Sequence, residues 1–268
     1  MAMMNLQALR AEVRTWLDEN VPRDLKLPPP GEDLDPELVA WTVDFRRKLG
    51  AKGWLAPSWP RYFGGGGLPP AAAAVIMEEL RGRSLPPLVL LQTWLTPLRV
   101  WGTEEQKERW LIPTLRGEIT VCQIVSEPGH GGADLAFQGT TALRDGDEYV
   151  VTGAKGPISN PLPPDYIFIL VTTDPQGPKY QNLAMIILDA HDPGVSVTYQ
   201  KTIVGRTLKS YALNGVRIPP ENIIGGESGG WHVAQTLVEV ERGGPGVTPE
   251  QRRDVEVREL AYWTRAAS

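Results

Sequence analysis

Cysteine and histidine are scarce: Cys122 is the only thiol, and His130, His191 and His232 are the only imidazoles in 268 residues. One thiol forms no intramolecular disulfide and no multi-thiolate metal cluster, which reads as a chain of a reducing compartment, the cytoplasm. The histidines lie far apart with no ligand spacing, so no metal site is expected. Basic residues are outnumbered as well, 27 Lys and Arg against 32 Asp and Glu, for a formal charge of −5. Binders of nucleic acid usually carry a basic face, so nucleic acid is not an expected partner, and anionic membrane surfaces are disfavoured for the same reason. Long apolar runs are missing too. The longest, Ala71 to Met77, falls far short of the roughly 20 residues that span a bilayer, and the N-terminus lacks the basic start and apolar stretch of a secretory signal. No membrane association is expected.

What is present divides the chain by hydrophobic period. Leu6, Leu9, Val13, Trp16 and Leu17 recur at helical spacing, and Leu38, Trp41, Phe45 and Leu49 do so again after a loop holding Pro28, Pro29 and Pro30. An apolar helix is predicted from about Pro70 to Arg81. Thr103-Glu104-Glu105-Gln106 reads as a capping box at the start of another helix that ends near Arg116-Gly117. Beyond Gly117 the pattern alternates. Thr140–Arg144, Tyr149–Thr152, Tyr166–Thr172, Leu183–Leu188, Val195–Gln200 and Tyr211–Arg217 are rich in Val, Ile, Thr and Tyr, and Asp145-Gly146 is a hairpin signal. No helix-length pattern intervenes, which predicts an antiparallel sandwich or barrel. Helix returns at Gly230, and Thr248-Pro249-Glu250-Gln251 offers a second capping box. The expected class is therefore α+β: an N-terminal helical domain (1–120), a middle β domain (121–229) and the beginning of a C-terminal helical domain (230–268).

Three segments carry candidate chemistry. Ser126-Glu127-Pro128-Gly129-His130-Gly131-Gly132-Ala133-Asp134-Leu135-Ala136 is a Gly-rich polar loop after a strand. Glycines let main-chain amides approach an anion or a planar ring without Cβ interference. Its spacing matches neither a P-loop nor a dinucleotide fingerprint. Lys155-Gly156-Pro157-Ile158-Ser159-Asn160 ends a strand and turns into a proline-rich loop. On an ideal helix from Gly230, Trp231, Ala234, Leu237, Val238, Glu241 and Arg242 share one stripe, so its apolar face ends in a carboxylate and a guanidinium. Burial would raise the carboxylate's pKa and suit it to proton abstraction, whereas at an exposed helix end it is simply solvated. Gly64 to Gly67 reads as a hinge, because no basic residue or hydroxyl follows at a useful distance.

Taken in order, these segments resemble the acyl-CoA dehydrogenase family, in particular its bacterial branch acting on fatty and steroid side-chain thioesters. The matching residues are Trp59-Pro60-Arg61-Tyr62-Phe63-Gly64-Gly65, Glu78-Glu79-Leu80, Gly102-Thr103-Glu104-Glu105-Gln106-Lys107, Leu115-Arg116-Gly117-Glu118, Ser126-Glu127-Pro128-Gly129, Asp134-Leu135-Ala136, Asp145-Gly146-Asp147-Glu148-Tyr149-Val150, Val216-Arg217-Ile218-Pro219 and Glu241-Arg242-Gly243. The resemblance implies FAD held between the middle and C-terminal domains across a subunit interface. By position it implies flavin contacts from Gln123, Val125, Ser126, Gly132, Ala133, Pro157, Ile158 and Ser159, CoA contact from Arg242, and Glu241 as the catalytic base. It also implies an acyl-CoA substrate, a homo- or hetero-oligomer with another acyl-CoA dehydrogenase-like chain, and electron-transfer flavoprotein as a candidate acceptor.

The chain also departs from that pattern. Pro157 stands where an aromatic residue usually lies against the isoalloxazine, and Gln123 replaces another common aromatic. The loop from His130 to Asp134 is one residue longer than usual, with Ala133 in place of its serine. The C-terminal helical part is expected to be short, one complete helix and one partial. Two readings follow: a flavin-dependent dehydrogenase that converts an acyl-CoA to the enoyl-CoA, and a non-catalytic subunit or thioester-binding module that has lost FAD. An apolar stripe including Trp231 and Val238 is expected to be exposed.

Overall fold

The computed structural model describes residues 5–29, 32–129 and 134–266. In chain order the helices are α1 (Leu6–Asn20), α2 (Pro36–Ala51), α3 (Pro70–Arg81), α4 (Gln92–Trp101), α5 (Glu104–Gln106) and α6 (Ile112–Leu115). The strands are β1 (Val121–Ile124), β2 (Thr141–Asp145), β3 (Glu148–Ile158), β4 (Tyr166–Thr172), β5 (Leu183–Asp189), β6 (Val195–Lys201), β7 (Thr207–Ile218) and β8 (Ile223–Ile224). Helices α7 (Gly230–Glu241) and α8 (Pro249–Ala266) follow. Two compact units result. One holds the chain up to Leu90 together with Ile112–Ile119; the other holds Leu91–Leu111 and the chain from Thr120 onward.

In the first unit, local chemistry starts the helices and packing fixes them. The Asn5 side chain accepts the N–H groups of Gln7 and Ala8 at the start of α1, and Asp35 accepts that of Leu38 ahead of Pro36, the first residue of α2. The helical stripe then buries Val13 and Leu17 against Phe45, Leu49, Trp54, Ile76 and Leu80. Trp16 packs beside both Phe45 and Trp54, with ring centroids 5.7 and 5.5 Å away. Arg10 and Arg14 reach Glu79 at 2.6 and 2.8 Å and so pin α1 to α3. The Gly64–Gly67 turn is filled by its own chain. A Cβ on Gly66 would lie 2.7 Å from the Gly53 carbonyl oxygen and 2.8 Å from that of Pro57, which leaves no cradle for an anion.

In the second unit eight strands form one sheet in the order β6-β7-β3-β2-β4-β5-β8, with β1 also beside β4. Most pairs are antiparallel, in keeping with the alternating strands, and Asp145-Gly146 closes the β2–β3 hairpin as its turn chemistry predicts. Two pairings are parallel and make the sheet mixed: β1 lies along β4 from Val121↔Tyr166 to Ile124↔Ile169, and Thr141 of β2 pairs with Thr172. Both parallel pairings fall on β4, which with its antiparallel neighbour β5 forms the most buried part of the sheet. Both strands are near-continuous apolar runs, buried on both faces, as strands covered on each side are. Ile167, Ile169 and Val171 face the core shared with Tyr211, Leu213 and Val216. On α4, Trp94 lies 6.2 Å from the ring of Phe168, ring centroid to centroid.

Helix α7 lies on β5 where its first residue lacks a side chain: a Cβ on Gly230 would sit 2.5 Å from the backbone of Ala184. Its buried face is Val233, Ala234, Thr236 and Leu237. The ideal-helix stripe is therefore displaced. Trp231 and Val238 are half-buried rather than exposed, with Trp231 4.6 Å from the Tyr180 ring. Helix α8 is fastened to α4 by the buried Glu259, whose carboxylate accepts two guanidinium N–H groups of Arg99 at 2.9 and 2.8 Å.

Candidate active site

Those of the residues singled out in sequence that are described lie on or directly after β1 and β3 and at the end of α7, all in the second unit. Gln123 is the third residue of β1, in register with Phe168, and Val125 and Ser126 follow directly; all three are half-buried. Ile158 ends β3 in register with Lys209 after a bulge, between exposed Pro157 and exposed Ser159. One hydrogen bond joins these segments, the Gly156 N–H donating to the Ser126 carbonyl at 2.9 Å. Only glycine suits that position. Its φ is +120°, and a Cβ there would meet the Lys209 carbonyl oxygen at 2.8 Å. Sequence elements 30 residues apart thus form one edge. Among the described residues the amide of Gln123 and the hydroxyls of Ser126 and Ser159 make no hydrogen bond.

Gly132 and Ala133 lie outside the described residues. The flanks of their loop are fixed: Asp134 accepts the Ala136 N–H at 3.1 Å and pairs with Lys179 at 3.3 Å. Glu241 is the last residue of α7 and Arg242 its C-cap, both exposed. Of the two alternatives for an acid at that helix end, solvated is the one observed. Among the described residues no hydrogen bond or ion pair joins either of them to the edge of Ser126 and Ile158.

Beneath that edge lies a charged network that the motifs contained but did not reveal. The buried Glu127 carboxylate accepts the N–H groups of Gly139 and Thr140 at 2.7 and 2.9 Å and the Lys155 ammonium at 2.7 Å. Lys155, with no exposed surface, donates to the Gln138 side-chain oxygen as well. Burial lowers the Lys155 ammonium to about 8, against the partial restoring effect of Glu127. Burial alone would push the Glu127 carboxyl up, but the Lys155 charge and bonds from Lys155 and Thr140 bring it net below its ordinary value. A signal for Lys155 was present: Tyr149, Val151, Gly153 and Lys155 occupy every second position of β3, the side that faces inward. Thr140 reads in sequence as the first residue of a strand that in fact begins at Thr141, and nothing comparable marks Gln138, which sits in irregular chain.

Two other features stand apart. Burial pushes the Cys122 thiol up to about 12, so it is no nucleophile. A cleft of about 1310 Å³ opens beside α4 and α8, lined among others by Trp101, Gln106, Trp110, Ile223, Val255 and Arg258, and contains none of the flavin, CoA or base candidates named from sequence. No helix among the described residues is long and apolar enough to cross a membrane.

A helical N-terminal part followed by a β part of this kind has known relatives. The acyl-CoA dehydrogenase N-terminal domain matches residues 4–118 and the acyl-CoA dehydrogenase middle domain residues 122–214. The acyl-CoA dehydrogenase FadE29 of Mycobacterium tuberculosis is 32% identical over 97% of this chain and 75% of its own length. IpdE1 of the same organism, another acyl-CoA dehydrogenase, is 30% identical over 97% and 68%. The solved structure of the Tcur3481–Tcur3483 steroid ACAD aligns with a TM-score of 0.74 at 32% identity, covering 97% of this chain and 67% of that one. The chain belongs to the acyl-CoA dehydrogenase family.

Proposed function

We propose that this chain takes part in the FAD-dependent α,β-dehydrogenation of an acyl-CoA thioester, with a fatty or steroid side chain as the acyl group. The observation that carries the reading is the Gly156 N–H bond to the Ser126 carbonyl, which joins the two flavin-flanking segments implied by the family resemblance. The donors there fit the polar rim of a flavin: an amide and two hydroxyls that make no hydrogen bond among the described residues, beside half-buried Val125 and Ile158. Gln123, Val125, Ser126, Ile158 and Ser159 would hold the ring, with Pro157 giving a flat apolar contact in place of an aromatic one. Gly132 and Ala133 are proposed ligands from the neighbouring loop.

When bound, FAD supplies the acceptor for the hydride that leaves the β-carbon. The chain's own part is to orient the thioester and to move a proton. Glu241 is proposed to take the α-proton on its carboxylate, and Arg242 to hold the CoA portion through its fixed positive charge. Glu241 is exposed in the isolated chain. A carboxylate gains basicity when water is displaced from it, so substrate or a neighbouring chain completes this part of the site. A second acyl-CoA dehydrogenase-like chain is the proposed partner, in keeping with the paired names of the Tcur3481–Tcur3483 steroid ACAD, and an electron-transfer flavoprotein the proposed acceptor.

Anaerobic addition of a fatty or steroid acyl-CoA to the FAD-loaded protein tests the reading. The flavin band is expected to bleach in wild type and to persist, with flavin still bound, in Glu241→Gln. Full bleaching of Glu241→Gln would assign the base elsewhere, and no bleaching of wild type by any acyl-CoA would favour the non-catalytic reading.

A further inference from the structure

The Glu127–Lys155 pair lies inside the β unit, one residue from each half of the candidate flavin edge. Glu127 follows Ser126, and Lys155 precedes Gly156. The carboxylate does more than neutralise the ammonium. It accepts the N–H groups of both Gly139 and Thr140, so it closes the neck of the Gly-rich loop that leaves β1 and re-enters the sheet at β2. Gln138, at the end of that loop, is held by the same ammonium and donates its own side-chain N–H to the Leu135 carbonyl at 3.0 Å. The Thr140 hydroxyl donates to the Ala154 carbonyl at 3.0 Å, and the Thr172 hydroxyl to the Gln138 carbonyl at 2.7 Å. One buried ion pair therefore ties together the end of β1, the loop's exit, β3 and β4.

Such an arrangement is costly by itself. Desolvating two charges offsets most of their attraction, and apolar side chains of similar volume frequently serve stability as well. What a buried pair with directional bonds adds is fixed geometry. We propose that Glu127 and Lys155 are positioning residues for the flavin-binding edge: their pair sets the spacing between Ser126 and the Gly156–Ser159 turn and holds the neck of the Gly-rich loop against both. They touch neither cofactor nor substrate. The role rests on the reading that this edge takes FAD, and it extends that reading to two residues that act through others.

The test is made on the full chain, with FAD as the probe and two independent readouts: FAD affinity by flavin fluorescence, and hydrogen exchange at the amides of Gly139, Thr140 and Gly156. The variants are Glu127→Gln, Lys155→Met, the charge-free double variant and Lys155→Arg, with Arg217→Ala, which removes an exposed ion pair with Asp145 and Glu148, as the surface control. The double variant leaves no unpaired buried charge, so it remains informative if a single variant fails to fold. The double variant is expected to retain its circular dichroism, to bind FAD about tenfold or more weakly and to exchange the three amides faster, whereas Lys155→Arg regains much of the affinity and Arg217→Ala changes nothing. Wild-type affinity and wild-type exchange in the folded double variant would overturn the proposal. Should wild type take up no FAD, the cofactor reading fails, and the exchange rates alone then decide whether the pair is a clamp.

Discussion

At the scale of single residues, Lys155 and Glu127 are the most consequential side chains outside the proposed contacts, because each is buried and each neutralises the other. Removing one partner leaves an uncompensated charge in the interior. Lys155→Met is therefore expected to cost about 3–5 kcal/mol in urea unfolding, with a large part regained in the double variant with Glu127→Gln. The pH dependence follows from the direction of each shift. Glu127 is held below its ordinary value, so its contribution is complete above the ordinary carboxylate range and is lost as pH falls through its lowered folded value. Lys155 is lowered to about 8. Between there and its ordinary value the unfolded chain holds a proton that the folded chain has released, so stability from this group rises with pH in that window. Denaturant midpoints measured against pH are expected to show an acid loss that shrinks in Glu127→Gln and an alkaline rise that is absent in Lys155→Met. Equal profiles in all three proteins would contradict the assignment.

At the scale of elements, the seating of α7 on β5 depends on the absence of a side chain at Gly230. Gly230→Ala favours helix locally but pushes a methyl group into the Ala184 backbone, and a shift of the helix is expected to cost about 1–3 kcal/mol. A fall in melting temperature with altered Trp231 emission would report it; an unchanged melt would show that α7 is not seated as described. Elements with a strong local signal were legible from sequence. The Thr103–Gln106 box forms both of its reciprocal bonds, as does Thr248 with Gln251, and β4 spans the residues its apolar run predicted. Helix α4 was not legible because Pro97 lies inside it and interrupts the pattern a helix is read from. The parallel seating of β1 was hidden for another reason: four residues carry no register, and their partner is 45 residues away. The same contrast holds at the candidate site. Motif chemistry singled out Ser126 and Ile158, whereas Lys155 reads in sequence only as the end of a strand, and its burial shows once β3 is seen to run on to Ile158. The bond from Gly156 to Ser126 and the role of Gln138 belong to tertiary structure, on which local pattern is silent.

For the whole molecule, family membership and function rest on different supports. The family is carried along nearly the entire chain by matches in both the helical and the β portions. The proposed chemistry rests on one edge of the β unit, where family motifs meet departures at Gln123 and Pro157, and on an acid and an arginine at the end of α7 that stand in solvent. Most of the chain thus bears on the scaffold, and a small surface decides whether it works as a flavoprotein. The direct test is a titration of the purified chain with FAD, followed by quenching of flavin fluorescence, in wild type and in Ser126→Tyr, where a bulky ring fills the edge without entering the core. Saturable quenching in wild type that is lost in a folded Ser126→Tyr is the predicted result; no quenching in wild type, or equal affinity in both proteins, would contradict it.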